Sequence, residues 1–380
     1  MFFNNLKYFL SVMIVGLILI SSYIFLEQRT DKIIASFPKQ RANSKSTKIL
    51  KDEIAKLYPW LIRSNTLPNY FTRSKNRRYG ERRLLDETYS YKNCTIAFVH
   101  NQKSGGTTTT SCFSNAIEEV GAMVPRLVAN PNAGQIFGSL LNGSDKYKRT
   151  SYVGDSTFTV CDFVDRPCAY FTVIRDPLER AISSYNMCLG SKQPQCVMRD
   201  ISKLSVKDWA IHQGSFFFRQ LLANPEFFTN KYTGLVDKLR GPDDPPTELI
   251  PPWWRNKLIL DHFMDDNQKG MVLEFVLANL ESWFAVIGLT EEFDTSFHLF
   301  ERVFKLPFYT LCAGRKQNQR NYHYSKDDHN ANVTKAEIVK SLKTKISTDP
   351  EALRALHYDI QIFKKAKSIF SKQKLAYAKT

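Results

Sequence analysis

The chain has 380 residues, 43% of them apolar, and a formal net charge of +16. That is long enough for one large or two small domains with a real hydrophobic core. The charge argues against a cationic partner, while nucleic acid, anionic lipid and acidic polysaccharide all satisfy it.

Tyr8 to Leu26 is an apolar and weakly polar run without a single charge, which predicts a membrane-spanning signal anchor. It is longer than the apolar part of an ordinary signal peptide, and no clear small-x-small cleavage site follows it. Residues 1–7 then form a short cytoplasmic tail. The flanking charges Lys7, Arg29 and Lys32, offset by Glu27 and Asp31, orient the segment poorly. Three sequons, at Asn93, Asn142 and Asn332, are glycosylation acceptors if everything after the anchor is lumenal. All seven cysteines also follow the anchor, and an oxidising lumen permits disulfides. Cys161 with Cys168, and Cys188 with Cys196, are close enough to close small loops, although spacing does not prove pairing. The odd count leaves at least one cysteine unpaired or bridged to another chain.

Residues 27–92 have few periodic apolar runs and many bases, among them Arg73, Lys75, Arg77, Arg78, Arg82 and Arg83, and read as a solvated lumenal stem. Residues 93–380 are the candidate lumenal domain. It opens with the apolar run Ile96-Ala97-Phe98-Val99, which suits a buried strand, followed at once by the loop Gln102-Lys103-Ser104-Gly105-Gly106-Thr107. Cys112, Phe113, Ala116, Ile117 and Val120 then share one face of a helix. Strand, glycine loop and helix in this order make an anion site, because glycines expose backbone N–H groups and the helix start adds its positive dipole end. The nucleotide-binding signature G-x-x-x-x-G-K-[ST] is absent, since Lys103 precedes the glycine pair.

A second strand, Ala169 to Ile174, leads into Arg175-Asp176-Pro177-Leu178-Glu179-Arg180. Asp176 can cap the helix that follows, Pro177 suits its first position, and Glu179 stands where a capping-box acid belongs. Leu178, Ala181, Ile182 and Tyr185 supply its buried face. Arg175 therefore falls at the carboxyl end of a strand, where open parallel sheets bind ligands, with Ser183 further along the helix. Two such turns call for a ligand with two separate anionic groups.

The segment Lys103-Ser104-Gly105-Gly106-Thr107-Thr108 resembles the 5′-phosphosulfate loop of sulfotransferases that use 3′-phosphoadenosine 5′-phosphosulfate (PAPS), and Arg175 to Ser183 resembles their 3′-phosphate motif. Trp283 to Glu292 is similar to a strand and helix start of the membrane-bound carbohydrate sulfotransferases, especially the heparan sulfate and uronyl 2-O type. His357-Tyr358-Asp359-Ile360 is similar to their closing helix. The resemblance implies an α/β fold, a P-loop-like parallel sheet flanked by helices, in a single-pass type II protein of the Golgi membrane. It implies PAPS as co-substrate, no metal, and an anionic or neutral glycan as acceptor rather than a nucleic acid. Lys103 would touch the oxygen bridging phosphate and sulfate, Ser104 to Thr108 would cradle the 5′-phosphate, and Arg175 with Ser183 would bind the 3′-phosphate.

An acceptor hydroxyl loses its proton as it attacks sulfur, so a base is expected. Where relatives place a histidine after a glycine, this chain has Gly154-Asp155, which makes Asp155 a candidate base or, equally, a structural aspartate. His100, at the end of the first strand, is a substitute, with a half-buried strand-end histidine as its plain reading. His212 ranks below it. The departure at Asp155 also motivates a second reading, a catalytically inactive, anchored glycan-binding protein on the same fold.

Other segments read as structure. His323 and His329 with Asp327 and Asp328 fit no metal-ligand spacing and form a polar loop, and the basic run Arg315 to Asn321 is a weaker candidate for closing over the cofactor. Trp253 and Trp254, after the Pro-rich stretch Gly241 to Pro252, are expected to pack at a domain edge. Asp349-Pro350-Glu351 starts a helix whose Leu353, Leu356, Ile360 and Phe363 make a core stripe. The sugar, the hydroxyl position, a possible protein tyrosine acceptor and the oligomeric state are open at this point.

Overall fold

The computed structural model describes residues 44–379, apart from 63–65, 73–90, 92–93, 123–124, 130–132, 144–150, 192–195, 197–199, 229, 243, 251 and 313–333. The anchor, Asn93, Asn332, the basic stem run and the His323/His329 loop with Arg315 to Asn321 lie outside these residues. Among the described residues no helix is long and apolar enough to cross a membrane.

Five strands form one parallel sheet: β1 (Thr95–Val99), β2 (Arg126–Leu127), β3 (Tyr152–Gly154), β4 (Cys168–Ile174) and β5 (Phe284–Leu289), in the order β2-β3-β1-β4-β5. Both faces are covered, so β1, β4 and β5 are buried at every position, and their apolar residues run continuously instead of alternating. The flanking helices are α1 (Ser44–Leu57), α2 (Gly106–Glu119), α3 (Ala133–Leu141), α4 (Pro177–Leu189), α5 (Val206–Gln213), α6 (Phe216–Leu221) and α7 (Thr233–Leu239). They continue as α8 (Pro252–Phe263), α9 (Asp266–Trp283), α10 (Phe293–Phe304), α11 (Phe308–Cys312), α12 (Lys335–Ser347), α13 (Pro350–Ala355) and α14 (His357–Tyr377). The expected α/β architecture with a helix-flanked parallel sheet is therefore present.

The core is aromatic. On one face Phe171 lies 4.8 Å from Phe98, 5.2 Å from Phe113 of α2, 5.0 Å from Phe300 of α10 and 5.7 Å from Phe308 of α11, measured between ring centroids. On the other, Tyr170 packs on Phe158 at 4.9 Å, and its hydroxyl accepts from the backbone N–H groups of Thr159 and Cys161 at 2.9 and 2.8 Å. The edge strand β5 is sealed by Gln373 of α14. This fully buried amide donates to Ile287 O at 2.7 Å and accepts from Ile287 N at 3.0 Å, supplying the ladder bonds that an edge lacks.

Part of the expected stem belongs to the domain. Ile54, Tyr58, Leu61 and Leu67 are buried, Leu67 N donates to Cys168 O at 2.8 Å, and Asn69 donates to Gln373 at 2.7 Å. Ile54, Tyr58 and Leu61 recur at helical spacing along α1 and the turn after it, an apolar pattern too short to stand out among the bases, whereas Leu67 and Asn69 are single-residue contacts that periodicity does not reveal. The closing helix is likewise two helices, α13 and α14, interrupted at Leu356; Leu353, Leu356 and Ile360 are buried as expected, and Phe363 is half-buried. Val120, expected on the buried face of α2, caps that helix and is exposed.

Three disulfides form, Cys161–Cys168, Cys188–Cys196 and Cys112–Cys312, leaving Cys94 as a half-buried free thiol. The third pins α11 to α2 across 200 residues of sequence. A cross-link of that span removes much unfolded-chain entropy, so the double variant Cys112→Ala/Cys312→Ala is expected to lose about 2–4 kcal/mol in a denaturant titration. Non-reducing peptide mapping should recover the Cys112–Cys312 pair in the unaltered chain.

Candidate functional site

Strand order places the candidate site. After β1 the chain moves to one side of the sheet, to β2, whereas after β4 it moves to the other, to β5. Between adjacent strands that depart in opposite directions a crevice opens at their carboxyl ends, the usual ligand position in an open parallel sheet. The Lys103 to Gly106 loop follows β1 and the Arg175 to Pro177 turn follows β4, so both expected anion sites meet at this crevice. They touch: Arg175 Nη1 donates to Lys103 O at 3.2 Å.

The loop is built for close backbone approach. Lys103 and Gly105 both have positive φ, 67° and 76°, and Ser104 between them donates its N–H to Asn101 O at 3.2 Å. Alternation of this kind turns successive N–H groups toward one concavity. Gly105 caps α2, whose first N–H groups, beginning at Gly106, have no carbonyl within the helix to receive them. A Cβ on Gly106 would lie 1.8 Å from the His100 imidazole, so glycine is required there by the histidine packed against it. The Ser104 backbone N–H is spent on the turn, but its fully buried hydroxyl has no partner. That is the group a bound anion oxygen would satisfy, as would the buried Arg175 Nε, also without a partner.

At β4 the cap forms as expected. The Asp176 carboxylate accepts from Leu178 N and Glu179 N at 2.9 and 3.1 Å, with Pro177 in the first turn. The capping box does not close, because Asp176 N donates to Glu291 at 2.9 Å while Glu179 turns to Arg175 at 3.5 Å and Lys343 at 3.2 Å. Lys343 of α12, which also reaches Asp176 at 3.2 Å, is a cation at this corner that local sequence gives no reason to place there. Ser183 is half-buried on α4. Lys103 Nζ lies 3.3 Å from Met187 Sδ of the same helix, so α4 reaches both ends of the crevice.

Arg180, the second arginine of the motif, turns away from the crevice. It is 1% exposed, donates to Gln213 at 3.3 Å and lies 5.1 Å over the Phe216 ring. Burial holds its pKa below the ordinary arginine value, opposed by the charge of Asp359. Arg219 is pushed down to about 10 by burial, opposed by the charges of Asp261 and Asp359. Asp359 is itself fixed by the N–H groups of Phe217 and Phe218 at 3.1 and 2.8 Å. This buried cluster ties α4, α6 and α14 together behind the motif.

The candidate bases sit on adjacent strand ends. His100 N donates to Gly154 O at 3.0 Å, and one amide nitrogen of Gln220 donates to both His100 O at 3.0 Å and Asp155 O at 2.6 Å. The Asp155 carboxylate accepts from Gln102 of the glycine loop at 3.1 Å and from the Ser156 hydroxyl at 3.2 Å. Burial raises its pKa, and those two hydrogen bonds oppose the rise. Asp155 also lines a cavity of about 10 Å³, room for about one water, with Arg219, Gln220 and Asn256 among its walls. Gln220 was missed from sequence, since a polar residue after three phenylalanines carries no local signal. His212 is packed among Trp209, Trp253 and Trp254, 4.6 Å from the last, and both Trp253 and Trp254 are buried as expected. Asn142 is exposed at the end of α3, sterically open to glycosylation. Among the described residues no group of His, Cys, Asp or Glu could hold a metal ion.

No protein-family profile matches the chain, and no curated protein matches it at a significant level.

Burial, and secondarily the charge of Lys103, push the His100 pKa from 6.5 down to about 4. Between those values the unfolded chain takes up a proton that the folded chain does not, so stability is full above pH 6.5 and falls as pH falls toward about 4. His100→Gln is expected to flatten the stability profile in that window, read as denaturant midpoints across a pH series.

Proposed function

We propose that the chain is a sulfotransferase that moves a sulfuryl group from PAPS to a hydroxyl of a glycan, an acidic polysaccharide or a glycoprotein glycan. The observation that carries this reading is the contact between the two anion-suited turns, Arg175 Nη1 to Lys103 O at 3.2 Å, at the switch point of a parallel sheet. A nucleotide phosphorylated at both its 3′ and 5′ positions needs two such turns side by side. Bound there, PAPS supplies an already activated sulfuryl group. The Lys103 ammonium and the N–H groups at the start of α2 neutralise charge on the departing phosphate without proton transfer. The Ser104 hydroxyl and the remaining loop residues to Thr108 hold the 5′-phosphate, while Arg175 and Ser183 hold the 3′-phosphate.

The acceptor proton goes to Asp155 Oδ or to the His100 imidazole. Asp155 has the raised pKa of a useful base, and Gln102 ties it to the glycine loop. His100, with a pKa near 4, is neutral at neutral pH and lies against Gly106 at the helix start. The excess of basic residues would gather an acidic acceptor. The same reading places the protein in the Golgi membrane, type II, with the domain lumenal. A second reading, an inactive glycan-binding protein on this fold, is favoured by the hydrogen bonds that engage both Asp155 oxygens.

Calorimetry with 3′-phosphoadenosine 5′-phosphate, and transfer of labelled sulfate from PAPS to a glycan panel, separate the readings. Lys103→Ala and Arg175→Ala are each expected to cut transfer by at least a hundredfold, about 2.7 kcal/mol of barrier. Asp155→Asn should reduce transfer with little change in nucleotide affinity. Nucleotide binding without turnover on any acceptor selects the inactive reading, and normal transfer by both Lys103→Ala and Arg175→Ala overturns the first.

A further inference from the structure

A second cavity lies far from the crevice. Its volume is about 430 Å³, within the range of ligand sites, and His298, Glu301, Arg302, Lys305, Leu306 and Tyr377 line it. α10 leaves the carboxyl end of β5 and runs back along the sheet for 12 residues, about 18 Å, so the cavity at its last turn is on the opposite edge from the glycine loop.

Three observations there point to a ligand. First, neither Arg302 nor Lys305 makes a side-chain ion pair or hydrogen bond with another described residue, and Arg302 Nε is buried without a partner. Glu301, the one acid in the lining, accepts from the N–H groups of Tyr309 and Thr310 at 2.8 and 3.3 Å, and pairs with neither cation. Second, Lys305 caps α10 in the left-handed conformation, φ 57° and ψ 32°, a position that glycine normally fills. A lysine held there against its backbone preference places an ammonium at the cavity rim. Third, two aromatic rings line the cavity: His298, stacked on Tyr309 at 3.4 Å, and Tyr377, whose centroid is 6.5 Å from that of His298 with the two planes tilted by 31°.

We infer that this cavity binds an acid-bearing saccharide, with the carboxylate or sulfate on Arg302 and Lys305 and the apolar face of a pyranose against the His298 and Tyr377 rings. The guanidinium fork matches a planar carboxylate or a sulfate edge, and Lys305 adds a second charge. The choice of a saccharide over other anions rests on the proposed function, in which an extended acidic glycan is the acceptor. A chain long enough to pass round the domain would be held here while another part lies in the crevice.

The test is lysine footprinting of the full-length chain with an amine acylating reagent, read residue by residue by mass spectrometry. The probes are a heparin-derived hexasaccharide, a neutral dextran hexamer, inorganic sulfate and 3′-phosphoadenosine 5′-phosphate. The heparin hexasaccharide alone is expected to protect Lys305 at least threefold, and Arg302→Ala to abolish that protection. Lys305 labelled equally with and without the hexasaccharide overturns the inference, as does equal protection by the dextran, by sulfate or by the nucleotide. Lys305→Gly, which relieves the backbone, is expected to keep or raise the thermal midpoint while weakening retention on a heparin column; unchanged retention counts against the site. Protection of Lys103 by the nucleotide, read in the same spectra, tests the donor reading independently. Lys305 protected with Lys103 unprotected would leave the saccharide cavity standing and remove the sulfotransferase.

Discussion

The pairing of β1 with β4 is the constraint on which the candidate site depends. Their register sets Val99 beside Thr172, and the Thr172 hydroxyl donates to Val99 O at 2.8 Å, locking the two strands near their carboxyl ends. Because the strands are parallel, the turns that leave them emerge on the same edge, and the helices that follow present their N-terminal ends side by side. Two positive helix ends, Lys103 and Arg175 then crowd one crevice. Asp176, Glu179 and Glu291 offset part of that charge at the β4 turn; at the β1 turn the acidic neighbour is Asp155, bonded to Gln102 of the loop, beside the His100 imidazole.

Rigidity behind the crevice comes from groups that cannot easily move. Arg180 and Arg219 are both buried within reach of the Asp359 charge, and a buried charge costs less where hydrogen bonds meet it. Gln213 accepts from Arg180 and donates to Ser184, and the N–H groups at the start of α6 hold Asp359, which restrains α4 in rotation about its axis even though Arg180 Nε and Nη2 and Arg219 Nε have no partner among the described residues. That orientation is what points Arg175 at Lys103 O and brings Met187 to the lysine ammonium. Gln220 performs the same service for His100 and Asp155, since a single amide nitrogen holds the ends of β1 and β3 at one separation.

Local sequence made much of this legible. The continuous apolar runs at Ile96 and Ala169, the glycine pair, and the Asp176-Pro177 cap each act within a few residues of themselves, so they are read without knowing what packs nearby. The packing of Trp253 and Trp254 and the core stripe through Leu353 and Ile360 follow from residue type and spacing. The attachment of residues 66–70 to the sheet, the partner of Cys112, and the roles of Lys343, Gln220 and Gln373 left no such trace. Each depends on a contact between residues far apart in the chain, and a lone glutamine or lysine looks the same whether it faces water or completes a network.

By itself the sequence determined the chemistry of the two turns, because backbone conformation at glycine and proline and the capping carboxylate are local properties. Tertiary structure decided everything that needs two distant segments in one place. It chose which arginine of the Arg175 to Arg180 motif faces the crevice and which is spent on the core. It brought His100 and Asp155 to neighbouring strand ends, and it assembled Arg302, Lys305 and Tyr377 around one cavity. The physical reason is that charge and hydrogen-bonding capacity belong to residues, whereas burial and partnership belong to the fold.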